Sequence, residues 1–425
     1  MPAYVVEGGR ALGGTIRPAG NKNAALPALT AALLTADDVI LENVPDIGDV
    51  RTLMELLRQL GAHADWDAPG TVHIRATDLT TADVDPRLAA HVRASILLAG
   101  PLLARLGRIV LPPPGGDVIG RRRVDTHLLA LARLGARIET GPPYRLEAGR
   151  LHGADLFLDE PSVTATENAL MCAVLAEGRT RIRNAAAEPH VQDLCRMLQH
   201  MGAEIRGIGT HVLDIDGVDR LHGCRFRLES DHIEVGSFIG LAAATGGALT
   251  IERAAVQHLD STLLAFERLG IRCEIRGADL FVPAEQTMQI GTDFGGHIPK
   301  IDDGPWPAFP ADLTSIALVV ATQCRGTVLI FEKMFESRMF FVDKVIGMGA
   351  QIVLCDPHRA VVVGPSSLRG GTVESPDIRA GMALLIAALC ARGRSRIQNV
   401  GQIERGYESI DLRLRALGAQ IQRLE

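Results

Sequence analysis

The chain has 425 residues, of which 47% are hydrophobic and only 4% aromatic, and its formal net charge is −6. This length allows two or three domains with cores built from aliphatic side chains. The acidic balance excludes the basic patch typical of nucleic-acid-binding proteins, and no apolar run reaches the roughly 18 residues of a membrane span.

Two further features concern location and cofactors. The N-terminus lacks a charged region followed by an apolar stretch, which predicts that there is no signal peptide. Seven scattered cysteines lie mostly inside apolar segments, and no C-x-x-C or paired-histidine spacing is present. We therefore expect a cytoplasmic protein with reduced core thiols, without a metal site and without a cofactor.

In chain order, one pattern recurs at intervals of about 70 residues, as a repeat architecture would require. A helical pattern ends in Leu or Met, then Gly, then Ala or Ile, and a strand follows. A glycine directly after a helix suits the left-handed backbone of a C-terminal cap. The glycines of the six repeats are Gly61, Gly135, Gly202, Gly270, Gly349 and Gly418.

Each repeat also contains an earlier helix rich in Ala and Leu and apolar on nearly all faces, which predicts that it is buried. These six helices begin near Asn23, Arg93, Thr166, Glu234, Asp312 and Arg379. The second helix of each repeat, such as the one near Val50, alternates charge and leucine with a period of 3.6, which predicts an exposed position. Short β-like runs such as 71–75 and 248–251 fill the gaps.

The six repeats predict a two-domain α/β protein with three β/α units in each domain, buried helices inside and sheets around them. We place the first domain at residues 22–229, including a loop at 111–123. The second domain comprises residues 1–21 and 230–425.

Polar residues stand at the starts of these otherwise apolar helices. Helix capping is a sufficient reading of Asp49, Thr166, Asp231 and Asp312, because Asp and Thr at helix starts are stabilising. Capping does not account for the cations at other starts, which oppose the helix macrodipole. They are Lys22, Arg93, Arg122, Arg379 and Arg405. A repeated local violation of this kind indicates a functional site, here one for phosphate and carboxylate groups in the cleft between the domains. The alternative is that each arginine is a solvated surface charge.

The loop 111–123 reads LPPPGGDVIGRRR. Its prolines predict a stiff stem and its paired glycines a mobile tip that carries Asp117. Such a loop is either a lid over an active site or a plain surface turn.

At these residues the chain resembles the UDP-N-acetylglucosamine enolpyruvyl transferase family, and the resemblance runs from end to end. The segments that carry it are GNKNAALP (20–27), VRASI (92–96), GGDVIGRRRVDTH (115–127), NAAAEP (184–189), AFPADL (308–313), FESR (335–338), DIRA (377–380) and RGYESI (405–410). The resemblance implies two inside-out α/β domains of three units each, which agrees with the repeat count. It also implies transfer of the enolpyruvyl group of phosphoenolpyruvate to the 3′-hydroxyl of UDP-N-acetylglucosamine, with release of phosphate, as the first committed step of peptidoglycan synthesis.

The resemblance implies roles for individual residues. Lys22, Arg122 and Arg405 would hold the phosphate and carboxylate of phosphoenolpyruvate, with Asn23 nearby. Asp312 would be the base for the attacking hydroxyl, and Asp377 and Arg379 would close the second domain onto the substrates. The residues implied at the nucleotide sugar are Arg93, Arg122, Arg123, Val124, Asp125, Thr126, Glu160, Pro161, Ser162, Val163 and Met334.

The chain departs from the family pattern in informative places. Asp117 stands where many members carry the cysteine that fosfomycin alkylates, so we expect Asp117 to be the general acid and the enzyme to be insensitive to that drug. Glu160, His232 and Leu313-Thr314 also differ, and they bear on the acceptor sugar. Alternatives are therefore a different acceptor, the sister reaction on shikimate 3-phosphate, or a catalytically silent protein that binds nucleotide sugars. The sister reaction is disfavoured because Lys22 lies in GNKNAA rather than in an Asp-Lys-Ser pattern.

Overall fold

The computed structural model describes residues 2–116, 120 and 123–425, and these form two compact units. The N-terminal unit contains residues 20–116 and 123–229, and the C-terminal unit contains residues 2–19 and 230–425. The two unit boundaries lie directly before Gly20 and directly before Ser230.

Three buried helices, Lys22–Ala31, Ala99–Leu106 and Val163–Ala173, form the centre of the N-terminal unit. A buried 3₁₀ helix, Arg93–Leu98, leads directly into the second of them. The α-helices of this unit are α1 Lys22–Ala31, α2 Gly48–Gln59, α3 Pro86–Ala89, α4 Ala99–Leu106, α5 Asp125–Arg133, α6 Val163–Ala173 and α7 Pro189–His200. The helices α2, α5 and α7 bury only one face, as their alternation of charged and apolar residues predicts.

The C-terminal unit repeats the plan with the helices His232–Thr245, Ala311–Ala321 and Ile378–Cys390 at its centre. Its α-helices are α8 His232–Thr245, α9 Asp260–Arg268, α10 Ala311–Ala321, α11 Val342–Gly347, α12 Ile378–Cys390, α13 Gly401–Glu404 and α14 Ile410–Ala416. Glycines allow α8 and α10 to pack closely. A Cβ atom at Gly236 would lie 2.5 Å from Leu313 Cδ1, and one at Gly240 would lie 2.8 Å from Ile316 Cγ2.

The described strands of the N-terminal unit form three sheets whose strands bury alternate residues against the helices. In spatial order they are Arg225–Arg227, Val39–Glu42, Thr71–Arg75 and His63–Ala68; Arg108–Leu111, Tyr144–Glu147 and Arg137–Glu139; and Glu204–Arg206, Val212–Asp216, Arg179–Arg183 and Asp155–Phe157. The last strand of the unit, Arg225–Arg227, pairs in parallel with Val39–Glu42 of its first repeat, which closes the unit on itself.

The described strands of the C-terminal unit also form three sheets. They are Thr372–Glu374, Arg394–Gln398, Ala3–Glu7 and Gln420–Leu424; Glu274–Arg276, Asp279–Val282, Leu249–Ile251 and Gly14–Ile16; and Lys300–Asp302, Gly326–Phe331, Arg359–Gly364 and Gln351–Asp356. The N-terminal strands Ala3–Glu7 and Gly14–Ile16 join two different sheets of this unit, so the first residues of the chain belong with its last.

The predicted α/β plan is confirmed, because every repeat contributes a sheet, a buried helix and an outer helix. One detail differs: the buried element of the second repeat begins as a 3₁₀ helix rather than as an α-helix. Among the described residues, no helix combines the length and apolar character needed to cross a membrane. The seven cysteines are free, and Cys172, Cys195 and Cys324 are buried.

Candidate active-site residues and their relatives

Asp312 is the centre of a buried ionic cluster in the C-terminal unit. It lies in the first turn of α10, and Arg338 Nη2 donates to its Oδ1 at 3.0 Å while Arg379 Nε donates to its Oδ2 at 3.0 Å. The side chains of Arg338 and Arg379 are 3% and 6% exposed, whereas that of Asp312 is 26% exposed. The carboxylate therefore sits on two buried cations and keeps part of its surface accessible.

This arrangement corrects the capping interpretation of Asp312. The residue before α10 is Pro310, and that helix has no side-chain cap hydrogen bond. Asp312 is instead a counter-ion. Two guanidinium groups in contact with one carboxylate favour its ionised form, which is the form that accepts a proton.

Arg379 is held by three different interactions. Its backbone N–H donates to Oδ1 of Asp377, which caps α12, and its guanidinium lies 5.5 Å from the centroid of the Tyr407 ring. The Tyr407 hydroxyl is in turn 2.9 Å from Ser237 Oγ. Burial is the largest single effect and lowers the pKa of Arg379, but the Asp312 carboxylate together with Tyr407 and Asp231 outweighs burial and raises the pKa, so the guanidinium is charged. Arg379 thus contacts Asp312, and Asp377 holds the backbone of Arg379 at the start of α12.

Asp231 is a true cap, as predicted: its Oδ1 accepts from the N–H groups of Ile233 and Glu234 at the start of α8. Arg405 lies at the end of α13 and not at a helix start as predicted, and it donates from Nη1 to Gln402 Oε1 at 2.9 Å. Met334 is 40% exposed, and its N–H donates to Glu332 Oε1. The structure leaves the predicted roles of Arg405 and Met334 untested.

In the N-terminal unit, Lys22 is the first residue of α1 and is almost completely buried. Its Nζ lies 2.8 Å from Oδ2 of Asp49, and the two side chains are 9% and 8% exposed. Asp49 makes no cap hydrogen bond to α2, so its capping interpretation was wrong. Its carboxylate compensates a cation that the dipole of α1 disfavours.

The cap of α1 is Asn21, whose side chain accepts from the N–H groups of Asn23 and Ala24. Asn23 was predicted at the site, whereas no role was predicted for Asn21. Asn is a preferred capping residue, and this preference could have identified Asn21.

Several residues predicted at the nucleotide sugar come together at the start of α5. Arg93 Nη2 donates to the carbonyl oxygen of Arg123 at 2.9 Å, and Arg123 Nε donates to Asp125 Oδ2 at 2.7 Å. The Thr126 hydroxyl donates to Asp159 Oδ1 at 2.6 Å and lies 3.4 Å from Glu160 Oε1. Asp159 was missed because it has no motif of its own.

The neighbouring start of α6 carries the other predicted residues. Ser162 caps this helix by accepting from Ala165 N–H at 3.4 Å, and Val163 is its first residue. Pro161 precedes the cap. Thr166 is not a cap: its hydroxyl donates to the Ser162 carbonyl oxygen inside the helix. Val124 directly precedes α5. Asp117 and Arg122 lie outside the described residues, so their predicted roles stay predictions.

Two units of three β/α repeats, with paired carboxylates and cations at the starts of buried helices, define the fold of the enolpyruvyl transferases. A crystal structure of the enolpyruvyl transferase NikO from Streptomyces tendae superposes with a TM-score of 0.88, covering 99% of this chain and 98% of that one at 24% identity. This likeness establishes the fold.

The family follows from sequence. The family model described as EPSP synthase (3-phosphoshikimate 1-carboxyvinyltransferase) matches residues 6–414. A UDP-N-acetylglucosamine 1-carboxyvinyltransferase of Bradyrhizobium diazoefficiens is 62% identical over 99% of this chain and 98% of its own length. One from Treponema denticola is 56% identical over 99% of each chain. The chain belongs to this family, and within it to the UDP-N-acetylglucosamine 1-carboxyvinyltransferases.

Proposed function

We propose that this chain transfers the enolpyruvyl group of phosphoenolpyruvate to the 3′-hydroxyl of UDP-N-acetylglucosamine and releases phosphate. The observation that carries the proposal is the 62% identity, over nearly the full length of both chains, to a relative of that name. The reaction would make this protein a cytoplasmic enzyme at the start of peptidoglycan synthesis, with a corresponding part in cell shape and cell division.

The chemistry requires an acid and a base. Protonation of C3 of phosphoenolpyruvate makes C2 electrophilic, the sugar oxygen bonds to C2, and the hydroxyl proton goes to the base. The C–O bond to phosphate then breaks and C3 returns a proton, which restores the double bond in the product. Asp117 is our proposed acid and Asp312 our proposed base.

The contacts of Asp312 suit the proposed role. A carboxylate held by Arg338 and Arg379 is a weak base, so it is well matched to a hydroxyl that becomes acidic as its oxygen bonds to C2. Both arginines are buried, so they fix the direction of the carboxylate without being displaced by solvent. The accessible part of Asp312 is the part that a sugar hydroxyl would meet.

We propose that the cationic side chains bind the anionic groups of the substrates. We assign the phosphate and carboxylate of phosphoenolpyruvate to Lys22, Arg122 and Arg405, with Asn23 nearby. The nucleotide sugar is assigned to Arg93 and Met334, to the segments 122–126 and 160–163, and to Asp377 with Arg379. Supporting this, Asp49 fixes the position of Lys22, and both side chains are almost completely buried, so water screens the attraction between Lys22 and an anion only weakly.

Phosphate release from phosphoenolpyruvate tests the proposal, with a panel of UDP-sugars and shikimate 3-phosphate as acceptors. We expect release that depends on both substrates and is fastest with UDP-N-acetylglucosamine. Release with shikimate 3-phosphate alone would replace our acceptor with that of the sister reaction. Binding of UDP-sugars without release under any condition would favour a catalytically silent protein.

The response to fosfomycin tests the consequence of having Asp117 in place of cysteine. Asp117 stands in place of the cysteine that fosfomycin alkylates, so we expect incubation with fosfomycin to leave turnover unchanged and the mass of the protein unaltered. A covalent adduct with loss of turnover would contradict this expectation.

A further inference from the structure

Two carboxyl groups meet in the interior of the C-terminal unit, at Asp303 and Glu332. They follow the parallel strands Lys300–Asp302 and Gly326–Phe331, in which Asp302 pairs with Phe331. The next residue of each strand is therefore beside the other, and both are fully buried.

The contacts of this pair indicate one shared proton. Asp303 Oδ1 accepts from Lys333 N–H, and Glu332 Oε1 accepts from the N–H groups of Met334 and Phe335. Their other oxygens, Asp303 Oδ2 and Glu332 Oε2, are buried and meet no hydrogen-bond donor within the described part of the chain.

Asp303 Oδ1 accepts from the N–H of the residue directly after Glu332, so the two buried carboxyl groups are neighbours, and a hydrogen bond between two carboxyl groups requires that one of them is protonated. Burial raises the pKa of Glu332, and the neighbouring Asp303 raises it further, against the lowering effect of Arg338. The proton therefore belongs on Glu332, where one O–H would satisfy both remaining oxygens.

Arg338 connects this pair to the base. Its Nε lies 3.7 Å from Glu332 Oε2, too far for a hydrogen bond, while its Nη2 donates to Asp312 at 3.0 Å. An ionised Glu332 would compete with Asp312 for this guanidinium, because attraction between charges is strong in a dry interior. A neutral Glu332 leaves Arg338 committed to Asp312.

We propose that Asp303 and Glu332 are positioning residues that share one proton and thereby hold Arg338 against Asp312 in the orientation the reaction needs. Glu332 also accepts hydrogen bonds from the backbone N–H groups of Met334 and Phe335. The pair therefore fixes this turn directly and Asp312 through Arg338. The proposal rests on the proposed function in one respect, the role of Asp312 as the base.

Replacement of Glu332 by Gln and by Leu tests whether Glu332 acts as a neutral hydrogen-bonding group. Gln carries no charge but offers an N–H to Asp303 and an oxygen to the two backbone N–H groups, so kcat for phosphate release should stay within about threefold of the wild type. Leu removes every contact and lets Arg338 and Asp312 shift, so kcat should fall by about 100-fold while KM for phosphoenolpyruvate changes little. Asp302→Asn, one residue from Asp303 but paired with surface lysines, is the matched control and should keep wild-type kcat.

Infrared difference spectroscopy tests the proton without any need for turnover. The wild type minus Glu332→Gln spectrum should show the C=O stretch of a protonated carboxyl, and Asp303→Asn should shift the frequency of this stretch because it removes the carboxylate that accepts the shared proton. The buried Glu167, whose pKa is raised by burial, should keep its own band in every variant.

The outcomes are distinct. An inactive wild type that shows the band would end the proposed function and leave the shared proton standing. An active wild type without the band, or a Glu332→Gln variant as slow as Glu332→Leu, would overturn the shared proton and make Glu332 an ordinary ionic partner of Arg338. Because Leu at a buried position endangers folding, its kcat counts only if its circular dichroism matches the wild type.

Discussion

Substitution of Asp312 by Asn removes the charge that compensates two buried guanidinium groups. Arg338 and Arg379 keep a hydrogen-bond acceptor at one of the two oxygen positions but lose their shared anion. Removal of one partner from a buried ion pair costs about 3–5 kcal/mol, and the partial exposure of Asp312 places this case near the lower end, at about 3 kcal/mol. For units of this size, that corresponds to a melting temperature lower by about 6–12 °C.

The same substitution should reduce kcat for phosphate release by about 100-fold to 10,000-fold, the range that a general base contributes. Thermal unfolding followed by circular dichroism and a coupled phosphate assay measure the two effects. A second change separates them: adding Arg338→Met to Asp312→Asn removes one uncompensated cation, so it should recover part of the stability and none of the activity.

The surface pair at Asp302 provides the matched comparison, because Asp302→Asn also removes one carboxylate from between two cations. These lysines are solvated, so the loss should stay below about 1 kcal/mol. If Asp312→Asn melts like Asp302→Asn, the two arginines are not held by Asp312. If it also turns over at the wild-type rate, Asp312 is not the base.

Three further predictions concern other parts of the chain. His127 is buried between Thr164 and Asn168, and burial lowers its pKa from 6.5 to about 3. As the pH falls from 6.5 to 3, the unfolded chain takes up the proton before the folded chain does, so stability that is present above pH 6.5 is lost progressively towards pH 3. In urea titrations, His127→Gln should reduce the slope of unfolding free energy against pH by up to about 1.4 kcal/mol per pH unit, and an unchanged slope would contradict the lowered pKa. Gly236→Ala should destabilise the protein by about 1–3 kcal/mol in urea unfolding, because the added Cβ would meet Leu313. Gly347→Ala is the control: it has open space around it and should be neutral or slightly stabilising. Equal effects of the two substitutions would show that α8 and α10 can separate at no cost in free energy. Asp117→Asn should abolish most turnover while calorimetry shows UDP-N-acetylglucosamine binding largely intact, and near-normal turnover would remove Asp117 as the acid.

Local patterns predicted the elements of this fold well. The buried helices were recognised because a helix that is apolar all round can be stable only inside a protein, and the glycine signatures because a left-handed residue ends a helix. Both rules depend on neighbours along the chain. Boundaries were less secure: the cap of α1, Asn21, was not predicted, because a shift of one or two residues leaves the apolar pattern almost unchanged.

The candidate site was predicted as a set of residues but not as a set of contacts. Lys22 and Arg379 lie at helix starts as predicted, whereas Arg405 lies at the end of α13, and the partners of Lys22 and Arg379 are distant in sequence. Asp312 meets Arg338 from 26 residues away and Arg379 from 67 residues away, and Lys22 meets Asp49 across two helices. Capping was the wrong interpretation of Asp49 and Asp312, because side-chain type alone does not distinguish a cap from a counter-ion.

The sequence by itself therefore determined the repeats, the buried and exposed helices, and the family, since these follow from periodicity and from motifs read along one chain. Only the tertiary structure decided which charge compensates which, and that Asp303 and Glu332 meet at the ends of parallel strands. The physical reason is that local conformation depends on neighbouring residues, whereas electrostatic pairing depends on which strands and helices become neighbours in space.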